Sequence, residues 1–230
     1  MKLNSDLSQR VIIQSADLPW VDSPASGVQR KMLERHGEEV ARATSIVRYA
    51  AGSQFPLHVH DLGEEIFVLD GVFEDEHGGY GPGMYIKNPP GSTHAPGSST
   101  GCTLFVKLRH LDPDDSETVR IDINTSNWLP GLVPGLSVMP LSEFEAQHTA
   151  LVRWAPGTRF KPHRHFGGEE IFVLEGMFED EFGQYPAGTW MRSPHMSAHH
   201  PFSTRGCLIL VKTGHLLQSQ TPDTSLELNT

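Results

Sequence analysis

Cysteine is nearly missing from this chain: Cys102 and Cys207 are the only two among 230 residues. Two thiols cannot build a disulfide framework, and there is no Cys-x-x-Cys to serve a zinc finger or a redox motif. Each follows a Gly and precedes a β-rich run, so both read as small buried hydrophobes in a reducing, cytoplasmic setting. Positive charge is also scarce. Lys and Arg total 18 against 28 Asp and Glu, the net charge is −10, and no basic cluster interrupts the chain. Such a surface repels phosphate backbones and anionic headgroups, which argues against nucleic acid and membrane partners. The opening MKLNSDLSQRVIIQSADLPW lacks the apolar core of roughly 7–15 residues that a secretory signal needs. No apolar run approaches the roughly 18 residues that would span a bilayer.

Turn formers, by contrast, are plentiful, with 22 glycines and 17 prolines. They separate short strand-like pieces: SIVRYA, FPLHVH, EEIFVLDG, GMYIKN and CTLFVKL. Helix signals are weak. The best is QRKMLERHGEEVARAT at 29–44, interrupted by Gly37, which predicts at most a short helix or a loop.

The chain also repeats itself. HVHDLGEEIFVLDG at 58–71 returns as HRHFGGEEIFVLEG at 163–176, and residues 46–111 align with 151–216 without a gap, half of the pairs being identical. With a three-residue shift the match extends upstream, setting Trp20 against Trp128. Strand-like pieces RVIIQ (10–14), VRIDIN (119–124) and LELN (226–229) punctuate the two units. A long period repeated only twice predicts a duplicated domain, 1–114 and 115–230, joined at LDPDDSE. In EEIFVLDG, Glu64, Ile66 and Val68 share one face while Phe67 and Leu69 share the other. A strand apolar on both faces needs a barrel interior on one side and a partner sheet on the other. The partner is either the second repeat or another copy of the chain, as a homodimer through its β-sheet faces. The fold class is all-β, two tandem barrels.

His58 and His60, two apart on a strand, project to one face. Glu64 follows a turn at Gly63, and His94 arrives after the tight turn Pro89-Pro90-Gly91. Three imidazoles and a carboxylate in one barrel make a mixed nitrogen–oxygen site for a divalent transition metal. His163, His165, Glu169 and His199 repeat the set, predicting one metal per barrel. Fe, Zn, Mn and Ni are not distinguishable from this donor set. The neighbouring Glu65 and Glu170 alternate to the opposite face, so Glu64 and Glu169 are the expected ligands. His195, Met196 and His200 flank the second site only.

Phe55/Phe160, Met84/Thr189 and Ile86/Met191 are candidate pocket residues. Arg48/Arg153 and Lys107/Lys212 are expected to pair with Asp75/Asp180 or Glu76/Glu181, and His110/His215 to lie at the surface or cap a strand.

Gly52, His58, His60, Glu64 and Gly71, then Gly83, Pro89, Gly91 and His94, resemble the two-part cupin signature, and both halves of the chain carry it. The wording GEEIFVLEGMFEDEFGQYPAG is similar to the ChrR-like cupin family. The second unit departs at Met196, where the motif has Gly, and Ser98 and Ser203 stand where Asn often closes it. The resemblance implies double-stranded β-helix (jelly-roll) barrels with the three His and one Glu as ligands. It also implies two kinds of function. One is a metal-dependent oxidoreductase or dioxygenase acting on a small carbonyl-type organic substrate. The other is a non-catalytic zinc-binding sensory or small-molecule-binding module, as in ChrR-type anti-sigma factors. Their additional anti-sigma domain carries a Cys-x-x-Cys, which this chain lacks, so that role is not carried over.

Overall fold

The computed structural model describes residues 1–217, so the strand-like LELN at 226–229 lies outside the described residues. Apart from one 3-10 turn at Ser15–Asp17, every regular element described is a strand. The largest sheet of the first half runs Lys2–Leu3, Val28–Gly37, Ala41–Tyr49, Cys102–Leu108, Glu64–Gly71, Met84–Asn88 and Val119–Asp122, with Val21–Asp22 paired to Val28–Gly37. The second half repeats this order with Leu136–Phe144, Gln147–Trp154, Cys207–Thr213, Glu169–Asp180 and Thr189–Ser193. Short strands such as His58–Val59 and Thr93–His94 close the opposite wall of each barrel.

Residues 29–44 form no helix and, apart from the turn at 38–40, are strand. Val28–Gly37 and Ala41–Tyr49 form an antiparallel hairpin, and Gly37, at φ +129°, sits at its turn. An added Cβ there would lie 2.4 Å from the Val40 carbonyl oxygen, so the glycine that looked like a helix breaker is a hairpin requirement. A register shift between Met32 and Glu34 changes which side chains face inward: Leu33 enters the layer between the barrels, and Arg35, opposite Ala43, faces the interior.

The two units exchange a strand. Val11–Gln14, ahead of the first repeat, pairs with Thr189–Ser193 of the second barrel. Val119–Asp122, ahead of the second repeat, pairs with Met84–Asn88 of the first. Equivalent buried cations hold the two incoming segments. Lys87 Nζ lies 2.9 Å from both carboxylate oxygens of Asp115. Arg192 donates to the carbonyls of Asn4 at 2.6 Å and Asp6 at 2.7 Å.

Each barrel has its own interior. Ile66, Val68, Phe73, Ile86, Leu104 and Val106 pack in the first, and Ile171, Val173, Phe178, Met191 and Ile209 in the second. A third apolar layer joins the halves, contributed by Leu33, Ile46, Phe67, Tyr85 and Phe105 on one side and Met139, Leu151, Phe172, Trp190 and Leu210 on the other. Phe105 stacks on Phe172 with centroids 4.9 Å apart. The two repeats therefore cover each other's apolar faces within one chain.

Inside this layer lies a reciprocal set of charges, which corrects the partners expected for Lys107, Lys212, His110 and His215. Lys107 reaches across to Glu170 of the second unit, and Lys212 reaches back to Glu65 at 2.9 Å. Neither lysine uses Asp75, Asp180, Glu76 or Glu181. His110 and His215 are buried rather than superficial: His110 meets Glu65, and His215 Nε2 lies 3.4 Å from Glu170. Burial alone would raise both carboxyls, but Lys212 and His110 hold Glu65 well below the usual range, and Lys107 with His215 does the same for Glu170. Burial pushes His110 down to about 3 and His215 to about 4, so both are neutral at pH 7. Arg48 and Arg153 also find no carboxylate among the described residues. Their guanidiniums lie 4.3 Å and 4.0 Å over the rings of Trp20 and Trp128.

Candidate metal centres

Strand pairing builds both clusters the same way. His58 lies directly opposite His94 in one two-stranded ladder, and His163 opposite His199 in the other. His60 and His165 follow two residues on and turn to the same side. The chain then reverses at Gly63 or Gly168, whose added Cβ would come within 2.4 Å and 2.6 Å of Leu111 and Leu216. That glycine turn delivers Glu64 or Glu169 to the start of the next strand, facing the histidines.

The structure brings all eight predicted residues into two groups, each with one ligand atom per residue and those atoms all within 4.8 Å of one another. His60 Nε2 and His94 Nε2 lie 3.3 Å and 3.4 Å from the same Glu64 oxygen. In the second group His165 Nδ1 is 3.6 Å from Glu169, and His199 Nε2 is 3.8 Å away. Several of these atoms have no hydrogen-bond partner among the described residues despite burial, namely His94 Nε2, His165 Nε2, His199 Nε2 and Glu169 Oε2. Buried lone pairs aimed at one another are costly unless a cation satisfies them together. The donor set and its orphaned atoms fit a divalent transition metal, and both clusters could hold one.

Supporting contacts fix the rings. The carbonyls of Pro56 and Lys161 accept from His58 Nδ1 and His163 Nδ1 at 2.9 Å, which leaves each Nε2 with a free lone pair. Ser92 Oγ lies 3.0 Å from His60 Nδ1. Behind His94 and His199 stand Asp75 (3.9 Å) and Asp180 (3.5 Å), each accepting from a tyrosine, Tyr80 or Tyr185. As partners of Arg48/Arg153 or Lys107/Lys212 the sequence suggested Glu76 and Glu181 or these aspartates. Their identity in both repeats, beside the equally repeated Ser92 and Ser197, was the available signal for a role at the site.

Electrostatics favour neutral groups before any cation enters. Burial pushes His60 down to about 3 and His94 to about 4, with neighbouring imidazoles adding to the effect. His165 falls to about 3 for the same reasons. Burial also pushes Glu64 and Glu169 up to about 7, opposed by Asn88 and Arg120 at the first and by His199 at the second.

The two centres differ in their surroundings. Glu64 accepts from Asn88 Nδ2 at 3.0 Å, and Arg120, on the exchanged strand, holds the Asn88 oxygen at 2.7 Å. At the second centre Arg10, from the exchanged N-terminal segment, pairs with Asp180 at 2.8 Å. Met196 takes φ +62° where Gly91 takes +81°, so the tight turn survives without its glycine at a cost of about 1–2 kcal/mol. His195 accepts from the Gly167 amide at 2.9 Å, and neither it nor His200 joins the second group. Ser98 and Ser203 donate to the Val72 and Met177 carbonyls, bracing the wall.

The first cluster forms part of the wall of a cavity of about 640 Å³, within the range of small-molecule sites. Val28, Val47, Tyr49, Ile66, Leu104 and Val106 make most of its apolar surface. Of the expected pocket residues in this unit, Phe55 lines it, its ring 5.4 Å from His58, whereas Met84 and Ile86 pack into the barrel core. Among the described residues no helix is long and apolar enough to cross a membrane. Cys102 and Cys207 are both buried and free.

Similar folds carry this architecture in other proteins. A candidate dioxygenase from Nostoc punctiforme superposes with a TM-score of 0.76 at 13% identity, covering 91% of this chain and 84% of that one. Protein Ylba from E. coli gives 0.69 at 14% identity over 91% and 92% of the two chains. The oxalate decarboxylase of Lactobacillus farciminis, solved as its formate complex, gives 0.63 at 12% identity over 89% and 86%. Among curated proteins none matches by sequence. A sequence model of the ChrR cupin-like domain matches residues 8–112 and again residues 116–217, nearly the whole chain. With both matched segments folded as His- and Glu-lined barrels, the chain belongs to the ChrR cupin-like family and is a tandem, two-barrel member of it.

Proposed function

We propose that this bicupin binds one divalent metal ion in each barrel, through His58, His60, Glu64 and His94 in the first and His163, His165, Glu169 and His199 in the second. We further propose that the first barrel oxidises a small carbonyl-type organic substrate. The observation that carries the reading is the opening of the first cluster into a cavity large enough for a substrate. With four protein donors, a bound divalent ion would have capacity left to polarise a carbonyl oxygen, and dioxygen would be the oxidant. The chain's own residues do the rest. Asp75, Ser92 and the Pro56 carbonyl orient the imidazoles, while the apolar wall from Val47 to Val106 keeps the substrate side dry. The fold similarity to a candidate dioxygenase supports this chemistry.

The test is elemental analysis of protein purified without added metal, then oxygen uptake after Fe(II) loading, with β-diketones and aryl ketones as substrates. Turnover with iron supports the oxidoreductase. The family's ChrR description favours a second reading, a non-catalytic zinc-binding sensory module. Zinc in both barrels with no uptake would establish that alternative.

Proton release offers an independent check on the ligands. Because Glu64 and Glu169 are raised to about 7, each is largely protonated at pH 6 and must lose its proton to a metal. Zinc titration of the apoprotein at pH 6, in buffers of different ionisation enthalpy, is expected to release about one proton per site from these carboxyls. Affinity should rise with pH up to about 7 and then flatten, whereas proton release unchanged by Glu64→Gln would count against that ligand.

A further inference from the structure

The cavity of the first barrel carries a feature that metal ligation does not use. Its wall includes Arg30, Arg35 and Arg109 together with the carboxylates of Glu39 and Asp61. Both carboxylates are already engaged: Glu39 takes Arg30 through both its oxygens, at 3.0 Å and 3.2 Å, and Asp61 takes Arg109. Arg35 is left over. Only 3% exposed, it donates solely to the backbone carbonyls of Glu38 and Glu39, and no carboxylate pairs with it among the described residues. The charges of Glu38 and Glu39 lie near enough to favour the guanidinium, but neither carboxylate bonds to it. A buried guanidinium without a bonded anion is costly unless a ligand supplies one.

The second barrel provides an internal comparison. At the positions equivalent to Arg30, Arg35 and Arg109 it has Val138, Glu143 and Gly214, and Phe166 replaces Asp61. The shared bulge, between Met32 and Glu34 in one hairpin and Pro140 and Ser142 in the other, places Glu143 opposite His148 as it places Arg35 opposite Ala43. Barrel geometry alone therefore does not demand a cation there. The basic group belongs to the first cavity.

We infer that the first barrel takes an organic anion, a carboxylate or enolate on an apolar body, with Arg35 as its charge anchor and the apolar wall holding the body beside the His58–His60–Glu64–His94 cluster. The inference rests on the reading of that cluster as a metal site, and names the class of substrate the site admits. Arg35 is a binding residue whose planar fork matches a carboxylate. The second barrel has no cation at that position: Glu143 there is exposed beside His148, so no equivalent anion site is expected.

The test uses zinc-loaded full-length protein and two probes of matched shape, phenylacetate and its uncharged amide, phenylacetamide, titrated by calorimetry. Wild type is expected to bind one phenylacetate per chain and to prefer it to the amide by about tenfold or more, the value of a charge-assisted hydrogen bond. Arg35→Gln should remove the preference while zinc content stays unchanged, and His165→Ala should leave phenylacetate binding intact. Arg35→Lys keeps charge but loses the fork, and a partial preference is expected there even if the Gln variant folds poorly. A preference unaffected by both Arg35 substitutions, two phenylacetates per chain, or no phenylacetate binding would overturn the proposal. Zinc bound without a preference for the acid refutes the anion site alone. A preference for the acid in protein that takes up no metal refutes the metal reading alone.

Discussion

Lys107→Met is expected to destabilise the protein by about 3–5 kcal/mol, because it strands a buried carboxylate. Glu170 would keep only His215, 3.4 Å away, among the described residues. Burial would then raise its carboxyl, which Lys107 now holds far below the ordinary range. Lys212→Met removes the mirror-image cation but should cost less. Glu65 retains Tyr85 Oη, Thr149 Oγ1 at 2.9 Å and His110 as donors. For a chain of this size the Lys107 loss corresponds to a fall in Tm of roughly 6–20 °C. Replacing both partners, Lys107→Met with Glu170→Leu, should recover most of the stability, since a well-packed apolar pair avoids the desolvation penalty. The pH dependence has a definite sign. A depressed carboxylate contributes stability above its unfolded value near 4.5 and loses it as pH falls through the folded value. The gap between wild type and Lys107→Met should therefore be full at neutral pH and close only in strong acid. Denaturant midpoints within experimental error of each other at pH 7 would rule out the buried pair as described.

His60→Ala is expected to lower the metal content from two ions per chain to one. In the proposed first centre His60 would supply one of four donors, and its ring is held by Ser92 on the far side. Even the loss of such a supporting contact typically weakens a metal site by 10–100-fold, so loss of the donor itself should exceed about 100-fold. His165→Ala should empty the other barrel instead. Inductively coupled plasma analysis after dialysis reads both results directly. Simultaneous loss of both ions, with the fold intact by circular dichroism, would show that the centres are not separate.

Much of the site was legible because its geometry is local. A two-residue spacing puts His58 and His60 on one side of a strand, and a glycine turn fixes where Glu64 emerges. The alternation that separates Glu64 from Glu65 follows from the pleat alone. What lay outside the sequence was tertiary. Lys107 and Lys212 are polar residues on strands, and His110 and His215 lie just past the ends of those strands, positions that by sequence alone suggest surface. Their neutralisation depends on the other repeat arriving with complementary charges, which no single segment records. Residues 29–44 misled for a related reason: Arg, Lys, Glu and Met favour helices, yet barrel closure overrode that preference. Arg35 was hidden twice, once by that apparent helix and again by the bulge that reverses its face. Arg10 and Arg120 could not be placed either, since each serves the barrel that its own sequence unit does not form.

The strand exchange also bears on ancestry. A single unit of this kind could complete its sheet by borrowing the leading arm of a twin, and the present chain has the topology of such an arm-swapped dimer joined end to end. Fusion made the loan internal: Val11–Gln14 and Val119–Asp122 no longer depend on encounter between molecules. Once the two arms were guaranteed to meet, each barrel was free to drift from its sibling, which is how one cavity could gain Arg30, Arg35 and Arg109 while the other has Val138, Glu143 and Gly214 in their places.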